Sequence, residues 1–340
     1  MRARILTVVV AAALVAAPGV AHAGSTADRL AGATADRLAS PSTDRRAVPH
    51  SGHDAIRYAS IKKCTVKGEE RPCGDWRLVM HSGERGVLPD AQGVALDTKG
   101  RSVRYAPAPV AVSGNGLRVA YFTKKGRLAV RTLGGGVTLF AANALPRVRQ
   151  DGVTLLLSDD GGRLAATTDG GTRVFDTATG ARLGTVPADL SVLGFSFDGH
   201  EILTSVDAGE SVVDLAVYAD TGERILRGTP PQVVVANGPQ ALSADGRTVA
   251  SAVMGAKPQL VVYDLQTDQV TARRRIKLPA GELHMIDWTG DTQVTLHLTR
   301  HRSGGDTMTI VQIDTETGAV RVRDRYTMLK DTFVFAACGG

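Results

Sequence analysis

The sequence is poor in the features that usually announce a function. It has three cysteines in 340 residues, which excludes a disulfide-dense mini-scaffold. Aromatic residues make up only 4%. Glycine is plentiful, at 38 residues, but follows no Gly-X-Y period, so a collagen-like chain is excluded. No sustained apolar period of 3.6 residues runs through the body of the chain, so very little helix is expected. No apolar run after the first 20 residues is long enough to span a bilayer. The charged share of 22% and apolar share of 43% are those of an ordinary globular protein and exclude wholesale disorder. What is left is a glycine-rich, turn-rich composition that points to an all-β chain.

Export is read from the N-terminus. Arg2 and Arg4 precede an apolar run from Ile5 to Ala17, Pro18 and Gly19 break it, and Ala21-His22-Ala23 has the small-x-small form of a cleavage site. Residues 1–23 are therefore expected to be a signal peptide and the mature chain to be secreted or extracytoplasmic. Without Arg2 and Arg4 the chain keeps 38 basic and 34 acidic residues, a net charge of +4. That falls short of a nucleic-acid-binding footprint. Residues 24–55 repeat Thr-Ala-Asp-Arg-Leu-Ala from Thr26 and again from Thr34, amid Gly, Ser, Pro and charge, and are expected to be a disordered leader.

A repeat then carries the fold. Its fullest copy is Leu-Ser-Ala-Asp-Gly-Arg-Thr-Val-Ala from Leu242, followed by Leu-Val-Val-Tyr-Asp-Leu-Gln-Thr-Asp from Leu260. Related copies begin at Leu156 and Gly194, with looser ones at Val112 and Ile286. Ser113, Ser158, Ser196 and Ser243 are spaced 45, 38 and 47 residues apart, and a blade of a β-propeller runs about 40–45 residues. In each unit Asp-Gly or Asn-Gly separates two apolar runs, the signature of a hairpin, because these residues tolerate positive φ. A second turn, Asp-Thr-x-Thr-Gly, separates a third run from a fourth. Each unit thus reads as four antiparallel strands, here called a to d from the ring centre outward. In the best unit they are placed near 239–243, 247–254, 259–265 and 269–277.

The prediction is an all-β propeller domain over 56–340, with about six four-stranded antiparallel blades near 72–107, 108–148, 150–188, 190–231, 235–279 and 281–323, and a closing strand at 325–337. Seven blades is the alternative, if 55–75 and the C-terminal strand form a composite blade. Closure should bring the chain ends together, since an open ring leaves an unpaired edge.

The strings Ser-Ala-Asp-Gly-Arg-Thr-Val-Ala and Leu-Val-Val-Tyr-Asp-Leu-Gln-Thr resemble the repeats of WD40-like, TolB-type secreted propellers. Asp-Thr-Ala-Thr-Gly from Asp176 also resembles the turn of quinoprotein-like and YVTN-type propellers. The resemblance covers about 110–320 and is one of architecture. No Trp-Asp dipeptide ends a blade, and Gly199-His200 lies inside a turn rather than starting one. It implies a binding platform or, less often, an enzyme, and fold does not choose between them.

In an oxidising compartment the thiols should pair. Cys64 and Cys73 flank a hydrophilic turn and are expected to bridge, with Cys338 as the alternative partner of either, locking the first and last blades together.

Catalytic motifs are scarce. The nucleophile-elbow pattern, the P-loop and the dinucleotide fingerprint are missing. His297 and His301 are four apart, but on a strand that places them ~13 Å from each other, too far for one ion. Asp159-Asp160-Gly161 lacks the alternating series of a calcium loop and reads as turn chemistry. Arg273 to Lys277 and Arg321 to Arg325 form basic runs read as solvated outer strands.

Four-stranded blades place b–c and d–a loops on one face of the ring. The b–c loops vary most, so that face is the candidate binding surface, with Lys124, Asp169, Glu210, Lys257, His301 and Arg302 as contributors. The expected function is that of a monomeric, non-catalytic binding or scaffold module for a protein or envelope component. Neither cofactor nor metal, nucleic-acid partner nor transmembrane span is expected. The alternative is a propeller-type hydrolase or lyase with acids converging at the channel mouth, for which Asp207, Glu210 and Asp306 are the candidates.

Overall fold

The computed structural model describes residues 54–209, 212–303 and 305–339. The expected signal peptide, nearly all of the expected leader, and Glu210 lie outside the described residues.

Six four-stranded antiparallel blades form a β-propeller. The first three strands are β1 (Ile56–Val66), β2 (Glu69–Met80) and β3 (Arg85–Leu88), and a two-stranded hairpin follows, β4 (Val94–Leu96) and β5 (Ser102–Pro107). Blade 2 holds β6 (Val110–Val112), β7 (Arg118–Phe122), β8 (Leu128–Thr132) and β9 (Val137–Leu139). Blade 3 holds β10 (Thr154–Leu157), β11 (Arg163–Thr168), β12 (Gly171–Asp176) and β13 (Arg182–Val186). Blade 4 holds β14 (Ser191–Phe195), β15 (Glu201–Gly209), β16 (Val212–Ala219) and β17 (Arg224–Gly228). A single helical turn, α1 (Gln232–Val235), leads into blade 5, which holds β18 (Gln240–Leu242), β19 (Thr248–Val253), β20 (Gln259–Asp264) and β21 (Gln269–Arg275). Blade 6 holds β22 (Glu282–Gly290), β23 (Gln293–Arg300), β24 (Thr307–Asp314) and β25 (Val320–Thr327). The last strand, β26 (Thr332–Ala337), returns to pair with β1 and supplies the inner strand of blade 1, giving the order β26-β1-β2-β3.

Two expectations change here. Residues 72–107 are not a blade: β2 and β3 belong to the composite blade 1, and 94–107 form only the β4–β5 hairpin. The composite blade is thus one of six and does not add a seventh. Nor is 325–337 one strand, because residues 325–327 finish β25 before the chain turns into β26. The physical reason is register. β25 pairs with β24 up to Thr327, opposite Thr307, while β26 pairs with β1 from Thr332, opposite Lys62.

The repeated serine has a structural task. Ser113, Ser158 and Ser196 are almost fully buried. In each, Oγ donates to the side chain two residues on, Asn115, Asp160 or Asp198, at 2.7–2.8 Å. Each Oγ also accepts from the backbone N–H five residues on, at 3.0 Å. The turn is thereby tied shut at the ring's a–b end.

The core lies between blades. Strand alternation sends Leu215 and Val217 of β16 toward blade 5, against Leu242, Val249 and Val261, while Ala216 and Tyr218 face Val174 and Val186 of blade 3. Such a cluster fills each of the six blade interfaces, ending where Tyr58 and Val79 of blade 1 meet Met308, Ile310 and Tyr326 of blade 6. Tyr58 and Tyr326 stack with centroids 5.3 Å apart.

Cys64 and Cys73 form a disulfide across the β1–β2 hairpin, whose tip, Lys67-Gly68, takes positive φ at both residues. Cys338 is outside this bridge. It is buried at the end of β26, with Sγ 3.7 Å from His81 Nε2. The bridge closes a loop with a sequence separation of 9. Replacing both Cys64 and Cys73 by Ser should lower stability by about 2–3 kcal/mol, read from urea unfolding under oxidising conditions. An unchanged midpoint would mean the bridge does not constrain the unfolded chain.

Candidate functional site

Antiparallel blades put all b–c turns and d–a connections on one face of the ring, and the a–b and c–d turns on the other. Five of the six predicted residues fall on the first face, Glu210 lying outside the described residues. Lys124 lies in the β7–β8 turn, Asp169 in the β11–β12 turn and Lys257 in the β19–β20 loop, with His301 and Arg302 following β23. All five are exposed. None of them hydrogen-bonds or ion-pairs with another: Lys124 Nζ donates to Asp75 Oδ1 at 2.9 Å, and His301 Nδ1 lies 2.9 Å from Asp306 Oδ1. They are distributed around the face, blade by blade, and do not converge on one point.

Two d–a connections elaborate this face beyond the bare repeat. The β4–β5 hairpin joins blade 1 to blade 2, and residues 140–153 join blade 2 to blade 3. Leu96 N–H donates to Gln150 Oε1 at 2.8 Å, and Arg147 Nε donates to the Thr98 carbonyl at 2.7 Å, so the two connections are held together. Between them and the β7–β8 turn opens a groove of about 670 Å³. Sequence reasoning missed it, because neither connection carries a motif. The one available signal is that both are longer than the turns around them.

The inner strands enclose a second cavity, of about 320 Å³, along the central channel. Its walls are mostly apolar, with Val112, Leu156, Phe195, Phe197 and Met285 among them. Toward the a–b end it holds two carboxylates, Asp159 and Asp287. Burial, with a smaller contribution from the charge of Asp160, pushes Asp159 up to about 6. Burial, and then the charge of Asp159, pushes Asp287 up to about 8. Asp287 Oδ2 is inaccessible to solvent and has no hydrogen-bond partner among the described residues. Gly114 and Gly339 complete this end. A Cβ on Gly114 would fall 2.0 Å from Asp159 Oδ1, and one on Gly339 would fall 3.4 Å from Asp287 Oδ2. Behind them His297, fully buried, sits with Nε2 3.1 Å from the Gly339 carbonyl, and burial depresses it to about 4, so the ring is neutral.

Asp159 read as turn chemistry from the sequence. It is the second residue of that Ser-x-Asp-Gly turn, a position held by Gly114, Phe197 and Ala244 in other blades, and it also lines the channel cavity. Asp287 carried no motif, and only the alternation Ile286-Asp287-Trp288, with both neighbours packed in the blade 5–6 core, turns it toward the channel. Asp207 and Asp306 do not line this cavity. Among the described residues no three His, Cys, Asp or Glu side chains form a metal-binding group.

The chain matches no family model, and no curated protein is similar to it at a significant level. Solved structures similar to it include a putative TolB from Agrobacterium tumefaciens, 14% identical over 81% of this chain and 91% of that one, with a TM-score of 0.45. TolB from Acinetobacter baumannii is 15% identical over 78% of this chain, with a TM-score of 0.40. The acylaminoacyl peptidase of Pyrococcus horikoshii is 13% identical over 80% of this chain, with a TM-score of 0.45. The chain spans 65% of the Acinetobacter protein and 45% of the peptidase. At these identities and TM-scores the likeness assigns no role. The six-bladed β-propeller is read from the chain's own strand order.

Proposed function

We propose that the protein is an exported β-propeller that binds a protein or an envelope component through the b–c face of its ring, without catalysis. The observation that carries this reading is the groove on that face. The connections that exceed the blade repeat there, 94–107 and 140–153, are tied to each other and leave about 670 Å³ of open space between them. Loops on a rigid scaffold are where recognition is usually placed. Export is supported by the charge, apolar run and cleavage pattern of residues 2–23 and by the Cys64–Cys73 bridge.

The test is capture from the secreted and envelope fractions with the mature chain as bait. Charge reversal at Lys124, Lys257 and Arg302 of the face, together with Lys125 and Arg147 of the groove, all exposed, should reduce capture at least tenfold while leaving thermal unfolding unchanged. Capture that ignores these reversals, or no capture at all, would overturn the reading. A propeller hydrolase or lyase is the alternative. The observation in its favour is Asp287, a carboxyl held protonated beside an ionisable Asp159 and so able to act as a general acid.

A further inference from the structure

We propose that the groove on the b–c face is a binding site for a polyanion whose charged groups are phosphates. The inference rests on the reading of that face as the binding surface and names the chemistry it takes.

Four cations line the groove: Lys125, Arg127, Arg147 and Arg173. They come from three separate stretches of chain: the β7–β8 turn, which holds Lys125 and Arg127, the 140–153 connection and β12. The three guanidiniums are not paired with carboxylates among the described residues. They are anchored through backbone carbonyls instead. Arg127 donates to Phe140 O through Nε, at 3.2 Å, and through Nη2. Arg147 donates to Thr98 O at 2.7 Å, and Arg173 donates through Nη1 to Ala144 O at 2.6 Å. A carbonyl fixes the direction of a guanidinium without cancelling its charge. Each guanidinium has five N–H donors, so each keeps several for a ligand.

The only carboxylate lining the groove is Asp97, and it is already saturated. Its oxygens accept from the Lys99 and Arg101 backbone N–H groups, both at 2.8 Å, and from the Arg101 guanidinium at 2.7 Å. Asp151, close by, is likewise held by Arg149 at 2.7 Å. The groove is left with four cations and no carboxylate to balance them. The mature chain carries a net charge of only +4, so this is a local concentration rather than a general basic surface.

The dimensions and the donors define the ligand. Pre-oriented guanidinium forks match oxyanions in two-pronged geometry. A lone carboxylate balances one of the four charges and fills little of about 670 Å³. A chain carrying successive phosphates satisfies several cations at once and fills the length of the groove.

The experiment is calorimetric titration of the full mature chain with polyphosphate, orthophosphate and poly-glutamate at two salt concentrations. Polyphosphate should bind at least tenfold more tightly than orthophosphate or poly-glutamate, and its affinity should fall as salt rises, because bound phosphates release counterions. Lys125→Glu and Arg147→Glu, both exposed, should each weaken it at least tenfold with unfolding unchanged. Lys277→Glu, an exposed cation outside the groove, should leave it unchanged. Equal loss in Lys277→Glu, or none in the groove variants, would overturn the site. Orthophosphate binding as tightly as polyphosphate would overturn the polyanion. If polyphosphate fails while reversal at Lys124, Lys125, Arg147, Lys257 and Arg302 still abolishes partner capture, the phosphate chemistry falls and the binding reading stands.

Discussion

Deleting residues 331–340 should abolish cooperative unfolding. The deletion removes β26, the inner strand of blade 1, which pairs with β1 from Tyr58↔Ala337 to Lys62↔Thr332. β1 then faces the channel with an unpaired edge. Two cores open together. Cys338, with Ala336 and Phe333 against it, leaves the blade 1–2 cluster, and Phe335 leaves the blade 6–1 cluster. The ion pair of Arg77 with Asp331 at 2.7 Å and the bond from Lys63 N–H to Asp331 O go as well. The segment carries the buried Cys338 and the half-buried Phe333, Phe335 and Ala336, and their loss comes together with loss of the whole β1 ladder, against a domain stability of only about 5–15 kcal/mol. Circular dichroism during heating should show a broad, sloping change in place of a transition. A truncated chain melting within about 5 °C of the wild type would show that ring closure is not what holds the blades together.

The second large effect is one of pH, and it belongs to Asp287. Its carboxyl stays protonated in the folded chain up to about 8 but ionises near the ordinary value of 3.8 once unfolded. The folded state therefore holds the extra proton between these values, and stability falls as pH rises through that window. Asp159 contributes in the same sense up to about 6. His297 acts oppositely. Depressed to about 4, it loses stability as pH falls from its ordinary 6.5 toward 4. The clean window for Asp287 is thus pH 6.5 to 8. Across it the wild type should lose up to about 2 kcal/mol, at about 1.4 kcal/mol per pH unit. Asp287→Asn, which keeps the shape and cannot ionise, should flatten that slope and be the more stable protein at pH 8. Urea unfolding at pH 6.5 and 8 reads both. Equal wild-type stability at the two values, or an unchanged slope in the variant, would show that this carboxyl ionises freely in the fold.

Much of the architecture was legible because its signals are local. The turn Ser-Ala-Asp-Gly from Ser243 is bounded by β18 and β19, found at Gln240–Leu242 and Thr248–Val253 against expected strands near 239–243 and 247–254. Positive φ at Gly116, Gly161, Gly199 and Gly246 is a demand that the residue type itself announces. The same locality made Cys64 and Cys73 readable as a pair across one hairpin. The expected sites were less legible. Lys124, Asp169, Lys257, His301 and Arg302 do lie on the b–c face, but a loop's position along the chain does not say what stands opposite it.

The sequence by itself determined the strand pattern, the turn chemistry, the repeat length and the all-β class, since each depends on residues within a few positions of one another. Only the tertiary structure decided the remainder. It showed that β26 closes blade 1 and so sets the count at six, that Asp159 and Asp287 meet in the channel, and that Lys125, Arg127, Arg147 and Arg173 share one groove. Those pairings join residues from separate blades or distant connections. Blade packing brings them together, and no periodicity in the chain records it.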